Sequence, residues 1–139
     1  MTTSGARGRV GSRLATASSV NALPLVALGG ALGASARYGL ALGAARLFGP
    51  EWPVAGTWAA NLLGCFLIGL AIPLVTGDRA RLVVLVGFLG AFTTFSTYSA
   101  ETIALWEGGR LGLAAANAVG SVLVGLVAVA AGLAIARAL

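Results

Sequence analysis

Long apolar stretches separated by short polar segments dominate the pattern along the chain. Five stretches contain no charged residue: 14–36, 38–45, 52–77, 82–100 and 111–136. A membrane-spanning helix needs about 20 mainly apolar residues. The pattern therefore predicts an all-α protein with four transmembrane helices, at about 22–45, 54–76, 81–106 and 111–137.

Residues that interrupt helices lie between the predicted spans. Gly-Pro-Glu-Trp-Pro at 49–53, Gly-Asp-Arg at 77–79 and Glu-Gly-Gly-Arg at 107–110 predict the three turns. Residues 1–20 are rich in Gly, Ser, Thr and Arg, which predicts a disordered basic tail. The expected organisation is that tail followed by a single transmembrane domain over 21–139.

A cleaved signal peptide is the alternative interpretation of the N-terminal region. Three arginines precede the first apolar stretch, and Ala34-Ser35-Ala36 has the small residues of a cleavage site. The stretch is long for a signal, however, and cleavage would remove the first of four predicted helices. The pattern therefore favours a transmembrane helix.

Composition supports a membrane protein and excludes several classes of function. The 139 residues are 58% hydrophobic and 9% charged, with no histidine and one cysteine. This excludes a disulfide framework, a cysteine–histidine metal site and catalysis by a Ser-His or Cys-His pair. We therefore do not expect an enzyme. The nine arginines are scattered between apolar stretches, which favours lipid phosphates over nucleic acid as their partners.

The arginines also bear on orientation, because four helices place both termini on the same side. That side carries six arginines, namely Arg7, Arg9, Arg13, Arg79, Arg81 and Arg137. Only Arg46 and Arg110 lie on the other side, so the positive-inside rule places the termini in the cytoplasm. Without the three arginines of the tail the bias almost disappears, which would permit insertion in both orientations and an antiparallel dimer.

Glycine pairs spaced four residues apart predict close contact between helix backbones. Examples are Gly29 with Gly33 and Gly39 with Gly43. Small residues allow the close approach that drives helix association in lipid. A tight bundle of four helices leaves little room for water, so we expect any conduit at a subunit interface.

A hydroxyl-rich run gives the third helix its candidate chemistry. Residues 93–99 contain five serines and threonines in seven positions, after glycines at 87 and 90. Because glycine and threonine weaken a helix, the run predicts a break at mid-membrane whose carbonyl groups line a cavity or hold an ion. If the helix resumes, Phe95 and Tyr98 share a face, and Ser96 and Thr97 can donate hydrogen bonds to an anion. The alternative is an unbroken helix whose hydroxyls bond to the preceding turn.

Four further polar residues lie within the predicted spans. Arg37 is an attractive charge for an anion, unless it extends to the membrane surface. The Asn61 amide either donates to an anion or ties two helices together. Asn117 and Ser121, four residues apart, form either a polar track or a helix-packing pair.

These residues resemble the CrcB/Fluc family of fluoride-specific ion channels over about 25–137. The resemblance rests on residues 29–38 (GGALGASARY), on Gly56 and Thr57 with Asn61 and Gly64, and on residues 87–98 (GFLGAFTTFSTY). It implies passive efflux of fluoride across a prokaryotic plasma membrane, which lowers the toxic concentration in the cytoplasm. It also implies an antiparallel dual-topology dimer with two pores.

The resemblance further implies particular roles for residues. The main-chain carbonyls of Gly90 and Thr93 would bind a structural sodium ion at the dimer centre. The fluoride pathway would be lined by Asn61, Phe95, Ser96, Thr97 and Tyr98, with Asn117 and Ser121 as polar positions on the fourth helix. The family usually has phenylalanine where this chain has Tyr98, which leaves open a homodimer or a heterodimer with a homologous subunit.

Two other functions remain as alternatives. A small four-helix multidrug exporter has a similar size and dual topology, but cation export favours a glutamate in the first helix, where this chain has Arg37. The only acid within an apolar span is Glu101, on the third helix. A non-conducting assembly subunit would explain the glycines but not the hydroxyl-rich run.

Overall fold

The computed structural model describes residues 22–139, so the predicted basic tail lies outside the described residues. The described chain is helical, and four helices are long and apolar enough to cross a membrane: α1 (Ala22–Phe48), α2 (Ala55–Leu74), α3 (Asp78–Glu107) and α4 (Leu111–Ala138). Large apolar side chains are exposed along these helices, as expected for helices surrounded by lipid. The prediction of four spanning helices in an all-α protein is confirmed.

The helix ends differ from the predicted bounds by a few residues, for local reasons. α1 continues to Phe48 and stops at Gly49, whose φ of 66° lies in the left-handed region that glycine tolerates. α2 ends earlier than predicted, at Leu74, just after Pro73. Its C-terminal end is capped by Arg81, whose Nη1 donates to the carbonyls of Ile72 and Val75 at 3.2 Å each.

Glycine residues bring the backbones of α2 and α4 into close contact. A Cβ atom on Gly69 would overlap the carbonyl oxygen of Val129, and one on Gly132 would overlap that of Phe66. Each helix therefore presents a glycine to the backbone of the other, which a larger residue would prevent. This pair of helices forms one side of the protomer.

α1 and α3 pack in the same manner on the other side. A Cβ atom on Gly29 or Gly33 would overlap carbonyl oxygens of α3, so this predicted glycine pair does bring two helices together. Gly39 and Gly43 behave differently, because a Cβ atom on either would meet no atom of the described chain within 4 Å. The second pair therefore makes no helix contact within the described protomer.

Two residues of α3 depart from helical geometry. The helix stops after Phe92, and Thr93 and Thr94 are extended, with φ/ψ of −88°/157° and −149°/124°. Helical geometry returns over Phe95–Glu107. The first part, 78–92, packs mainly on α1, whereas the second part contacts the N-terminal end of α4. The two parts of α3 therefore belong to different sides of the protomer.

Candidate functional site

The Asn61 side chain holds the extended segment of α3 in place. Its Nδ2 donates to the Thr94 carbonyl at 3.1 Å, and its Oδ1 accepts from the Thr94 N–H at 2.8 Å. An extended residue cannot make the usual helical bonds, and an unpaired backbone group away from water is costly. A primary amide carries both a donor and an acceptor, so one side chain satisfies both backbone groups of Thr94.

The hydroxyl groups around the interruption have two kinds of partner. Thr94 Oγ1 accepts from the Thr97 N–H at 3.3 Å and donates to Thr97 Oγ1 at 3.1 Å, so it caps the helix that follows. Ser96 Oγ lies 3.3 Å from the same Thr94 oxygen. Thr93 Oγ1 instead donates back to the Leu89 carbonyl at 3.0 Å. Bonding to the preceding turn therefore explains Thr93 but not Ser96 or Thr97.

Two carbonyl groups before the interruption lose their helical partners. In a continuous helix the Gly90 carbonyl would accept from the Thr94 N–H, which here donates to Asn61. The Ala91 carbonyl instead accepts from Arg37 Nε at 3.2 Å. The positive charge of Arg37 is thereby fixed beside the end of the first part of α3, where the negative pole of a helix lies.

The aromatic residues after the interruption lie side by side. The ring centroids of Phe95 and Tyr98 are 5.5 Å apart, with 38° between the ring planes. Phe95 is 78% exposed, which leaves most of its ring outside the core of the protomer. Tyr98 is half-buried, and its hydroxyl donates to the Ala118 carbonyl of α4 at 2.6 Å. Phe95 therefore lies on the protomer surface, whereas Tyr98 is anchored to α4.

Thr94 lines two cavities. The first, about 510 Å³, extends from the α1–α2 connection, and its lining includes the polar residues Arg37, Thr57, Thr94, Thr97 and Glu101. The second, about 350 Å³, is lined by residues that include Asn61, Gly90, Thr93, Thr94, Phe95, Tyr98 and Ser121. Most of the residues predicted from the sequence are thus brought together around Thr94.

Asn117 lines neither of these two cavities. It is 1% exposed, and its Oδ1 accepts from Trp58 Nε1 at 2.6 Å and from Ser121 Oγ at 3.3 Å. Its Nδ2 donates to Thr102 Oγ1 at 2.7 Å. These bonds join α2, α3 and α4, which favours the helix-packing interpretation of Asn117. Ser121, one turn further along α4, does reach the second cavity.

Comparison with protein families decides the identity of the fold. The family model described as CrcB-like protein, Camphor Resistance (CrcB), matches residues 24–133. The chain belongs to the CrcB family. This match covers all four helices except the first residues of α1 and the last turn of α4.

Relatives of this CrcB-family chain are named as ion channels. The "Fluoride-specific ion channel FluC" of Cereibacter sphaeroides (strain ATCC 17029 / ATH 2.4.9) is 46% identical over 120 residues, which cover 85% of this chain and 96% of the relative. The proteins of that name from Chloroflexus aurantiacus (strain ATCC 29366 / DSM 635 / J-10-fl) and Agrobacterium fabrum (strain C58 / ATCC 33970) are 43% and 44% identical. They cover 85% and 83% of this chain, and the aligned parts are 97% and 95% of those relatives. The chain is accordingly a multi-pass membrane protein of a non-enzymatic family.

Sequence reasoning missed one polar pair of this CrcB-family site. Thr57 Oγ1 donates to Glu101 Oε1 at 2.8 Å, on the wall of the first cavity. The other carboxyl oxygen, Oε2, is buried and has no partner among residues 22–139. Glu101 carries a signal that could have identified the pair, because an ionisable residue within a membrane span is rarely without a function.

Proposed function

We propose that this CrcB-family chain is a fluoride-specific ion channel that lets the anion leave the cytoplasm passively. The observation that carries the proposal is the segment at Thr93 and Thr94, held by Asn61 where two cavities adjoin. Irregular backbone within a membrane span is tolerated where it lines a cavity or a pore. The relatives named as fluoride-specific channels align across this whole segment.

The chemistry around Thr94 suits a small, strongly hydrated anion. Such an ion leaves water only if several donors replace its hydration shell, and conduction requires that they bind it weakly enough to release it. Asn61 uses one of its two N–H donors within the described protomer, so the second remains for an anion. Hydroxyls of Ser96 and Thr97 and the positive ring edges of Phe95 and Tyr98 add neutral donors.

Arg37 contributes at the entrance rather than along the narrow part of the pathway. Its guanidinium lines the first cavity and is held by the Ala91 carbonyl. An arginine there raises the local concentration of anions by electrostatic attraction. Because Arg37 bonds to Ala91, before the interruption in α3, it attracts fluoride without binding it tightly between Asn61 and Phe95.

The pathway is completed, in this proposal, by a second subunit in an antiparallel dual-topology dimer. Phe95 and Gly90 both lie on the exposed surface of the protomer. The polar groups around Thr94 therefore need a cover other than lipid, because lipid cannot satisfy them. The nearly balanced arginines of the hairpins would let one chain insert in both orientations.

A structural sodium ion fits the oxygen atoms at the interruption. The Thr94 N–H bonds to Asn61, which leaves the Gly90 carbonyl without its helical donor. The Thr93 carbonyl belongs to extended backbone. We therefore assign these two main-chain oxygens as sodium ligands, since hard oxygen atoms suit a hard cation. The ion would supply a fixed positive charge at the dimer centre.

Fluoride release from liposomes tests the proposal. Purified protein is reconstituted in vesicles loaded with potassium fluoride, and valinomycin sets the voltage. We expect a fluoride electrode to register rapid release, with much slower chloride release in a parallel assay. Equal chloride flux, or no flux of either anion, would reject the proposal. Release only after addition of a homologous subunit would identify a heterodimer.

Replacement of sodium by N-methylglucamine tests the structural ion. We expect fluoride flux to be lost after exhaustive exchange and restored when sodium is returned. Thr93→Ser is the control, because it leaves both main-chain ligands in place and should change the flux little. Undiminished flux without sodium would remove the ion from the mechanism while leaving the channel proposal intact.

A further inference from the structure

The hydroxyl of Tyr98 links α3 to α4 beside the second cavity. Tyr98 lies in the second part of α3, and its Oη donates to the Ala118 carbonyl of α4 at 2.6 Å. A distance this short is typical of a well-formed O–H···O bond. Since a phenol has a single proton to donate, the Tyr98 hydroxyl cannot make this bond and donate to an anion at the same time.

The acceptor lies in an unusual part of α4. Ala118 is in the middle of a π-helical turn over Ala116–Gly120. Such turns are rare in proteins, and those that do occur are often at functional sites. A carbonyl oxygen has two lone pairs, so Ala118 can accept the phenol proton in addition to a backbone bond.

The main-chain carbonyl of Tyr98 also accepts hydrogen bonds from side chains. It accepts from Thr102 Oγ1 at 2.7 Å and from Asn117 Nδ2 at 3.4 Å. Asn117 precedes Ala118, so two adjacent residues of the π-helical turn contact Tyr98 through its main chain and its hydroxyl. The ring is therefore fixed at both ends, and its angle to the Phe95 ring is fixed with it.

We propose that Tyr98 is a positioning residue whose hydroxyl anchors its ring to α4 and sets the angle of the Phe95–Tyr98 pair. The hydroxyl is not a hydrogen-bond donor to the permeating anion. An anion in the second cavity meets the ring edge of Tyr98, which is oriented by the bond to Ala118. This inference rests on the proposed channel function, because the ring pair matters only if an anion passes it.

Raman spectroscopy tests the hydrogen bond independently of transport. The chain has two tyrosines, so Tyr38→Phe leaves Tyr98 as the single reporter, and Tyr38→Phe/Tyr98→Phe supplies the blank. The tyrosine doublet in the ultraviolet resonance Raman difference spectrum indicates whether the phenol donates. We expect a donor signature that is the same with and without sodium fluoride. A non-donor signature, or one that changes as fluoride is added, would overturn the proposal.

Transport by Tyr98→Phe then tests the positioning role. We expect its maximal fluoride flux to fall about threefold to tenfold, the effect of one neutral hydrogen bond. The half-saturating fluoride concentration should stay within about twofold, because a group that does not bind the anion does not contribute to its affinity. Unchanged maximal flux, or a half-saturating concentration raised about fivefold or more, would overturn the role.

Ser99→Ala is the matched control for this variant. It also removes one hydroxyl from the second part of α3, but Ser99 Oγ donates within its own helix, to the Phe95 carbonyl at 2.9 Å. We expect its flux to equal that of the parent. If the parent protein itself carries no fluoride, the channel proposal fails, whereas the Raman result still decides whether the Tyr98 phenol donates a hydrogen bond.

Discussion

Asn61 and Asn117 are the same residue type inside two membrane-spanning helices, yet their surroundings differ. Asn117 is 1% exposed, and it bonds to the side chains of Trp58, Thr102 and Ser121 and, at 3.4 Å, to the Tyr98 carbonyl. Asn61 bonds to the backbone of a single extended residue, Thr94. Asn117 completes a hydrogen-bond network between helices, whereas Asn61 bonds to backbone groups that have no helical partner.

The neighbours of the two asparagines show the same difference. Around Asn117 the polar atoms are paired within the protomer and covered by α2, α3 and α4. Beside Asn61, the Phe95 ring is 78% exposed, and Gly90 lies on the surface. A polar cluster that is complete in one protomer contributes to folding. An incomplete one, in a membrane, needs an ion or a second subunit to complete it.

A negative charge at Asn61 should produce the largest effect. Asn61→Asp keeps the size of the side chain but removes the donor to the Thr94 carbonyl and places a like charge beside the anion. Two like charges about 4 Å apart repel by about 4 kcal/mol near a protein surface, so we expect fluoride flux to fall at least about a hundredfold. The liposome assay measures the flux, and light scattering in detergent checks that the variant keeps the oligomeric state of the parent. Wild-type flux would show that Asn61 only supports the backbone.

Gly90→Leu tests whether a second subunit covers the incomplete region. Within the protomer, a Cβ atom at Gly90 meets only the Leu85 carbonyl oxygen, at 3.8 Å, so the protomer itself should tolerate the change. At a packed subunit contact a larger residue costs about 1–3 kcal/mol, enough to weaken dimerisation about fivefold or more. We expect folded monomers by light scattering and a matching loss of flux.

Gly132→Leu is the contrasting variant for this test. A Cβ atom on Gly132 would overlap the Phe66 carbonyl oxygen, so the substitution should disrupt the α2–α4 contact and reduce the yield of folded protein. A Gly90→Leu protein that remains dimeric and conducts normally would show that Gly90 faces lipid and not a partner.

Phe95→Ile should have an intermediate effect on flux. Isoleucine keeps an apolar side chain but removes the ring edge, whose interactions are worth about 0.5–1.5 kcal/mol, so we expect flux to fall up to about tenfold. Stability should change little, because Phe95 is 78% exposed in the protomer. Phe88→Ile is the control, since Phe88 stacks on Phe92 with centroids 5.7 Å apart, outside both cavities. Loss of flux in both variants alike would point to a general effect of aromatic packing.

Much of the architecture follows from local features of the sequence. Apolar stretches of about 20 residues are enough to predict four helices, because the bilayer thickness sets their length. The hydroxyl-rich run marks the segment where Thr93 and Thr94 are extended. The ends of the helices are predicted less accurately. The end of α2, for example, is capped by the side chain of Arg81, nine positions from the Ile72 carbonyl that it bonds.

The partners of the site residues could not be predicted in the same way. Asn61 bonds to a residue 33 positions away, and Arg37 donates to a carbonyl 54 positions away. These contacts depend on how the helices pack, and the spacing of residues within one helix does not determine that. The π-helical turn at Ala118 is a further example, because its residues have no composition that distinguishes them from an α-helix.

Asn117→Ala should have the smallest effect on transport and the clearest effect on stability. The substitution leaves Trp58 Nε1 and Thr102 Oγ1 without the partner that joins them. The Tyr98 carbonyl loses its 3.4 Å bond from Asn117 but keeps the 2.7 Å bond from Thr102, so the Tyr98 ring should stay in place. A buried polar group that loses its partner costs about 1–3 kcal/mol, although hydrogen bonds between membrane helices average nearer 0.6 kcal/mol. We therefore expect a lower unfolding temperature in detergent, and a flux per folded protein that falls far less than for Asn61→Asp. A stable Asn117→Ala protein with flux as low as that of Asn61→Asp would place Asn117 on the anion pathway and make the two asparagines functionally equivalent.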